Sequence, residues 1–252
     1  MFLLLMCIVS LLPPLLLFFY IRGTLEQGSG EWKGLCGKAL LSGVLSVFRV
    51  ILYSGVLALL LGLSGIRKGY PVLGAALYNY FVLAGAEELA KFQVARKFTE
   101  KHAYPYSRVT LAAVMVIVGI GFGLAEAIPY AIGADAPTMI VRGITMGHAG
   151  YGFIQGCAYG KSKATGEKKY FIRGFLLALL IHGTYDFCLS EELAAVSENF
   201  AGISLALAFL DIVLAILAIR FFRRRRNDEE YTRALEAEAM EVTAEEGVEP
   251  EN

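Results

Sequence analysis

The sequence predicts an all-α protein, a polytopic transmembrane helical bundle of about seven spans with a disordered acidic C-terminal tail. Three observations carry that expectation. The 252 residues are 56% hydrophobic, with a mean hydropathy of +0.57. The apolar residues fall in blocks of about 20, the length a helix needs to cross ~30 Å of hydrocarbon. The Lys and Arg residues gather in short connections between blocks, and because lipid leaves no partner for exposed backbone, each block must be helical.

Taken in order, the spans are expected at 1–21, 39–64, 72–97, 107–133, 138–160, 171–190 and 200–222. The first contains Pro13 and Pro14, which should bend it. It lacks a basic leader and a small-residue cleavage site, so it reads as a retained helix rather than a removed signal peptide. Bases follow the first span (Arg22, Lys33, Lys38), the third (Arg96, Lys97, Lys101, Arg108), the fifth (Lys161, Lys163, Lys168, Lys169, Arg173) and the seventh (Arg223 to Arg226). The other connections carry Asp135, Glu191, Glu192 and Glu198, with Arg67 and Lys68 breaking the pattern. By the positive-inside rule the basic connections are cytoplasmic, the N-terminus lies outside and the C-terminus inside a cell membrane, a parity that an odd number of spans satisfies.

A net charge of zero conceals two opposed regions. Residues 228–252 hold ten acids against Arg233 alone, leaving 22 bases and 13 acids in the remainder. The membrane domain is therefore placed at 1–222, with its motif core at 72–190, and the basic-then-acidic tail at 223–252, disordered or marginally helical. Cys7, Cys36, Cys157 and Cys188 form no CxxC pair and no metal-ligand spacing with a histidine, so they read as packing residues.

Inside the expected spans, ionisable residues are concentrated in four consecutive helices: Glu87, Glu88 and Lys91; Glu126; Arg142 and His148; His182 and Asp186. A charge at a helix centre costs ~2.5–3.5 kcal/mol on the insertion scale, so these groups must pair internally or face a wet cavity. Glu87 and Lys91, Glu88 and Lys91, and His182 and Asp186 are spaced to share a helix face. At 1.5 Å per residue, Glu87 lies about 14 Å from Arg96, His182 about 14 Å from Arg173 and His148 about 20 Å from Lys161, similar depths on three helices. Glu126 falls nearer the outer side. Arg142 is expected to anchor at that surface or to pair with a carboxylate, and Arg49 and Asp211 to pair with each other across the bundle.

The order EExxK (Glu87, Glu88, Lys91), GFxxxE (Gly121, Phe122, Glu126), Arg-x5-His (Arg142, His148) and HxxxD (His182, Asp186) resembles the PrsW family of intramembrane proteases, in the superfamily of type II CAAX prenyl endopeptidases. One departure is Ala127, where the family pattern usually continues with Asn. The resemblance covers about 72–190. It implies a multi-pass endopeptidase acting on a membrane-anchored protein, an anti-sigma factor in the namesake, with the bilayer as its other partner and no nucleic acid.

Peptide hydrolysis needs an activated water, an oxyanion stabiliser and a proton donor for the leaving amine. Glu87 or Glu88 with His148 is expected to polarise the water, and His182, held by Asp186, to stabilise the oxyanion or give up a proton. Lys91, Glu126 and Arg142 support them. A metal version, with zinc on Glu88, His148 and His182, uses the same chemistry set; without HExxH, the reading leans to no obligatory metal. Two other classes fit a buried Glu/His/Asp set, an ion- or proton-coupled transporter, against which the lack of an internal repeat counts, and a non-catalytic membrane scaffold.

Overall fold

The computed structural model describes residues 2–104, 106–132 and 136–245. Within them every regular element is helical. Helix α1 (Phe2–Thr24) contains both prolines and leads through a 3-10 turn into α2 (Gly30–Leu63). Ser29 caps α2, its hydroxyl accepting from the Trp32 amide at 3.2 Å. The fully buried Trp32 indole N–H points to the Ile21 carbonyl at 3.4 Å and ties α2 to α1. Gly65, at φ +69°, supplies the left-handed turn that ends α2.

After the short α3 (Ile66–Gly69), Pro71 opens α4 (Pro71–Leu77), where its missing N–H costs nothing. The chain then runs without a break through a wider π-helical segment, Tyr78–Gly85, into α5 (Ala86–Lys101). Next come α6 (Arg108–Ile132), α7 (Ala136–Thr145), α8 (Gly147–Thr165), α9 (Lys168–Cys188), the single turn α10 (Glu191–Ala194) and α11 (Ala201–Glu245).

Helix α6 is the axle. Every residue from Val109 to Phe122 is buried, and α6 packs against α8, α2, α1 and α5. Its closest neighbour is α8, and glycine makes that approach possible. A Cβ on Gly152 would sit 2.6 Å from the Met115 carbonyl oxygen, and one on Gly156 2.7 Å from the Ala112 Cα. In lipid, where apolar surface gains little by associating, such close backbone contact is the main source of helix–helix attraction.

Among the described residues, four stretches are long and apolar enough to cross a membrane: Gly30–Leu63, Arg108–Tyr130, Lys168–Cys188 and Glu198–Arg225, with a shorter apolar helix at Ser10–Thr24. They fall on the expected second, fourth, sixth and seventh spans, and the shorter one on the first. The third expected span is a continuous helical run, but Glu87, Glu88 and Lys91 make it too polar to pass on composition.

The fifth, expected as one helix over 138–160, is corrected: it breaks into α7 and α8 at Met146, which takes the left-handed region at φ +53°. A side chain rarely adopts that conformation, at a cost of about 1–2 kcal/mol, so periodicity alone gives no hint of it.

The acidic extension is helical in backbone as far as Glu245, continuing α11. Residues 246–252 and Asp135 lie outside the described residues.

Candidate active site

The polar cluster is assembled from five helices. Glu87, Glu88 and Lys91 occupy the first turns of α5, just past the π-helical segment, a form of helix that recurs at functional sites. That segment is fixed against α9 by Tyr80, whose hydroxyl lies 2.6 Å from the Thr184 Oγ1. Glu126 comes from α6, Arg142 from α7, His148 from α8, and His182 with Asp186 from α9. The break at Met146 lets Arg142 and His148 approach Glu126 from two helices with different axes.

Adjacent residues on a helix point about 100° apart, and the two glutamates consequently meet different surroundings. Glu88 is completely buried and fully engaged. Its Oε1 accepts from Lys91 Nζ at 2.6 Å and faces His182 Nδ1 at 2.8 Å, while Oε2 accepts from Gln155 Nε2 at 2.5 Å. Glu87, also buried, has an Oε2 with no hydrogen-bond partner among the described residues. That oxygen lies 3.7 Å from His182 Nε2 and 4.0 Å from His148 Nδ1.

Each imidazole is clamped on its far side by another carboxylate. Lys91 Nζ lies 2.9 Å from His148 Nδ1, and since an ammonium can only donate, Nδ1 carries the lone pair and the Nε2–H donates to Glu126 Oε2, 2.5 Å away. Glu126 in turn accepts from Arg142 Nη1 at 2.7 Å, and Arg142 Nη2 stands 3.6 Å from Asp186. On His182, the Nδ1–H donates to Glu88 and Nε2 lies 3.2 Å from Asp186 Oδ2. The two rings are 5.3 Å apart between centroids and nearly perpendicular. Tyr151 stacks on His182 and Phe122 meets His148 edge-on, giving the cluster apolar walls.

One cation-binding arrangement follows from these positions. Glu87 Oε2, a His148 nitrogen and a His182 nitrogen all lie within 4.8 Å of one another. Zinc bonds these atom types at about 2.0–2.2 Å, so three donors around one ion stand a little over 3 Å apart; the 3.7 and 4.0 Å from Glu87 Oε2 to the two imidazole nitrogens are wider, and a metal would draw the three side chains together. The unpartnered buried oxygen and the outer carboxylates on the far nitrogens, Glu126 on His148 Nε2 and Glu88 on His182 Nδ1, are what a metal site of this kind requires, and a metal would displace Lys91 from His148 Nδ1 and Asp186 from His182 Nε2. The donor set differs from the expected one: Glu88 is consumed by Lys91, Gln155 and His182, and its neighbour Glu87 is the open carboxylate.

Two small cavities reach the cluster. One, of about 30 Å³, is bounded by Arg142, His148, His182, Asp186 and Asp211, and has room for a water molecule. The other, of about 50 Å³, lies between α1, α6 and α8 beside His148 and Glu126, with Ala127 in its wall.

All eight residues singled out in the sequence therefore converge. Arg142 does pair with carboxylates, and it does so inside the cluster rather than as a surface anchor. The expected Arg49–Asp211 pair is corrected. Arg49 donates to the Gln93 amide oxygen at 3.4 Å, whereas Asp211 accepts from the Tyr151 hydroxyl at 3.1 Å and keeps Oδ1 unpartnered. They lie on α2 and α11, which do not pack against each other to any extent, and charge matching alone could not reveal that.

Gln155 and Tyr151 were missed. The signal was present: His148, Tyr151 and Gln155 follow i, i+3, i+7 spacing, one face of α8, within a glycine-rich membrane segment.

No curated protein and no solved structure matches the chain. The model of one family does, across residues 30–219, a stretch that includes every residue of the cluster. The chain belongs to the PrsW family of intramembrane metalloproteases.

Proposed function

We propose that the chain hydrolyses a peptide bond in a membrane-anchored protein, with Glu87, His148 and His182 holding the attacking water. The observation that carries this reading is the unpartnered Glu87 Oε2 between the facing nitrogens of two histidines. A carboxylate left open in a buried site has no structural purpose that its fully engaged neighbour Glu88 does not already serve. Glu87 can accept a proton from the water as its oxygen attacks the carbonyl carbon. When the C–N bond breaks, the same proton is available to the departing amine.

Glu88, Lys91 and Gln155 keep His182 in place, and Glu126 with Arg142 keeps His148 in place. Arg142 and Asp186 border the water-sized cavity, with the guanidinium available to the developing oxyanion. A divalent metal held by Glu87, His148 and His182 would supply Lewis-acid activation of the water. The family's description as metalloproteases weighs toward such a metal and away from the metal-free reading of the sequence. The cavities accept a water and a small side chain but not an extended peptide, so admission of substrate calls for the helices around them to part.

By family resemblance the substrate is an anti-sigma-factor-like protein cut at a first site. The charge asymmetry of the connections supports seven spans, an outside N-terminus and a cytoplasmic C-terminus. The decisive experiment compares cleavage of a membrane-anchored substrate by the wild type with Glu87→Gln, His148→Ala and His182→Ala at matched abundance. All three should be inactive; processing at the wild-type level by all of them would end the protease reading. Stringent chelation should abolish cleavage and stoichiometric zinc restore it if the metal is required, while unchanged activity after chelation would return the mechanism to glutamate and histidine alone.

A further inference from the structure

A groove of about 430 Å³ runs between α2 and α5 at the end of the bundle that carries basic connections, and it shares no residue with the Glu/His cluster. Lys38, Arg49, Lys97 and Lys101 line it, and no carboxylate does. None of the four forms an ion pair among the described residues. Arg49 is half-buried and, among the described residues, has the Gln93 amide as its one hydrogen-bond partner. By helical rise it lies about 16 Å along α2 from Lys38, toward the membrane interior, where an arginine needs an anion or a polar path.

Between Lys38 and Arg49 the α2 wall of the groove is apolar and opens outward. Leu41 and Leu45 are part of its lining, and with Phe48 and Leu52 they form one exposed stripe on α2. The stripe spans about 16 Å, close to half of the ~30 Å hydrocarbon core. Cations at a helix end are most simply topogenic and solvated, but that reading accounts for neither the cavity nor Arg49. Basic pockets between helices at this level suit phosphate headgroups, and the volume falls within the range of small-ligand sites.

We propose that this groove binds one anionic glycerophospholipid, the phosphate among Lys38, Lys97 and Lys101, with Arg49 at the deep end of the groove, and an acyl chain along the Leu41–Leu52 stripe. The acidic segment 228–252 is also complementary in charge, but it would leave the apolar stripe uncovered.

The test is lipid retention by the purified full-length chain, measured by native mass spectrometry with phosphatidylglycerol and phosphatidylcholine of identical chains. The wild type should prefer phosphatidylglycerol by at least about tenfold. Lys38→Gln/Lys97→Gln/Lys101→Gln should remove that preference, the corresponding triple Lys→Arg variant should keep it, and Lys168→Gln/Arg223→Gln/Arg224→Gln, equal in charge loss, should also keep it. A single Lys97→Glu, at an exposed position, carries the same expectation if the triple Gln variant does not fold. Retention unchanged in the groove variants, or lost equally in the control, would overturn the proposal. So would binding of phosphatidylglycerol only after residues 228–252 are removed, which would assign the groove to the tail.

Discussion

Helices α2 and α6 have windows of the same mean hydropathy, 2.3, yet 67% of the α6 window is buried inside the protein and only 6% of the α2 window is. Hydropathy reports that both segments prefer lipid to water and cannot tell a lipid-facing helix from a protein-facing one, because the two surroundings are about equally apolar. The distinction lies in side-chain size and in what polar groups sit nearby. Helix α6 carries small residues where α8 and α2 press against it, and it borders the polar cluster; α2 turns large apolar side chains such as Phe48, Leu52 and Leu60 outward.

The interior of the bundle should accordingly be intolerant of substitution and the α2 exterior permissive, in four graded ways. The largest effect is on chemistry. Glu87→Gln should lower cleavage by about 10²–10⁴-fold with the folded amount unchanged, whereas Leu52→Ala on α2 should leave cleavage within about twofold of wild type. Second, Glu88→Ala removes the anion from a fully buried site and leaves Lys91 uncompensated, which should cost about 3–5 kcal/mol. A thermal midpoint in detergent, measured beside Glu87→Gln, would separate the two carboxylates by role; equal destabilisation by both would erase the distinction drawn between them.

Third, Gly152→Leu forces a side chain into the α6–α8 seam and should cost about 3 kcal/mol. Gly55→Leu on α2, where a Cβ meets nothing within 4 Å, should be close to neutral. Similar losses for both would show that the exterior of α2 is covered by something. The smallest effect lies outside the membrane. Glu192's carboxyl is held below the usual carboxylate range, first by its own backbone N–H and then by Arg67 at 3.0 Å. A carboxyl lowered by folding stabilises above its unfolded pKa of about 4.3 and loses that contribution as the pH falls further. Glu192→Gln should therefore cost at most about 0.5 kcal/mol at pH 7 and nothing near pH 3, since the pair is partly exposed.

Much of this site is legible in the chain because ionisable residues are costly in lipid and rarely placed there without use. The four motifs, the i, i+3 pairing of Glu88 with Lys91 and the i, i+4 pairing of His182 with Asp186 all follow from helical spacing. Gln155 escaped because an uncharged amide barely disturbs hydropathy. Asp211 is legible as a buried acid but its partner Tyr151 is not, since complementary charges on distant segments do not reveal which helices adjoin.

Local sequence by itself determined the all-helical character, the placement of the most apolar spans and the identity of the polar set, because each depends on the cost of backbone and charge in hydrocarbon. The tertiary structure alone decided that Glu87 stays open while Glu88 is occupied, that a left-handed residue splits the fifth segment, and that Arg142 turns inward. These depend on the relative phase and separation of α5, α6, α7, α8 and α9, and on which donor reaches a carboxylate first, quantities that arise only once the helices are packed against one another.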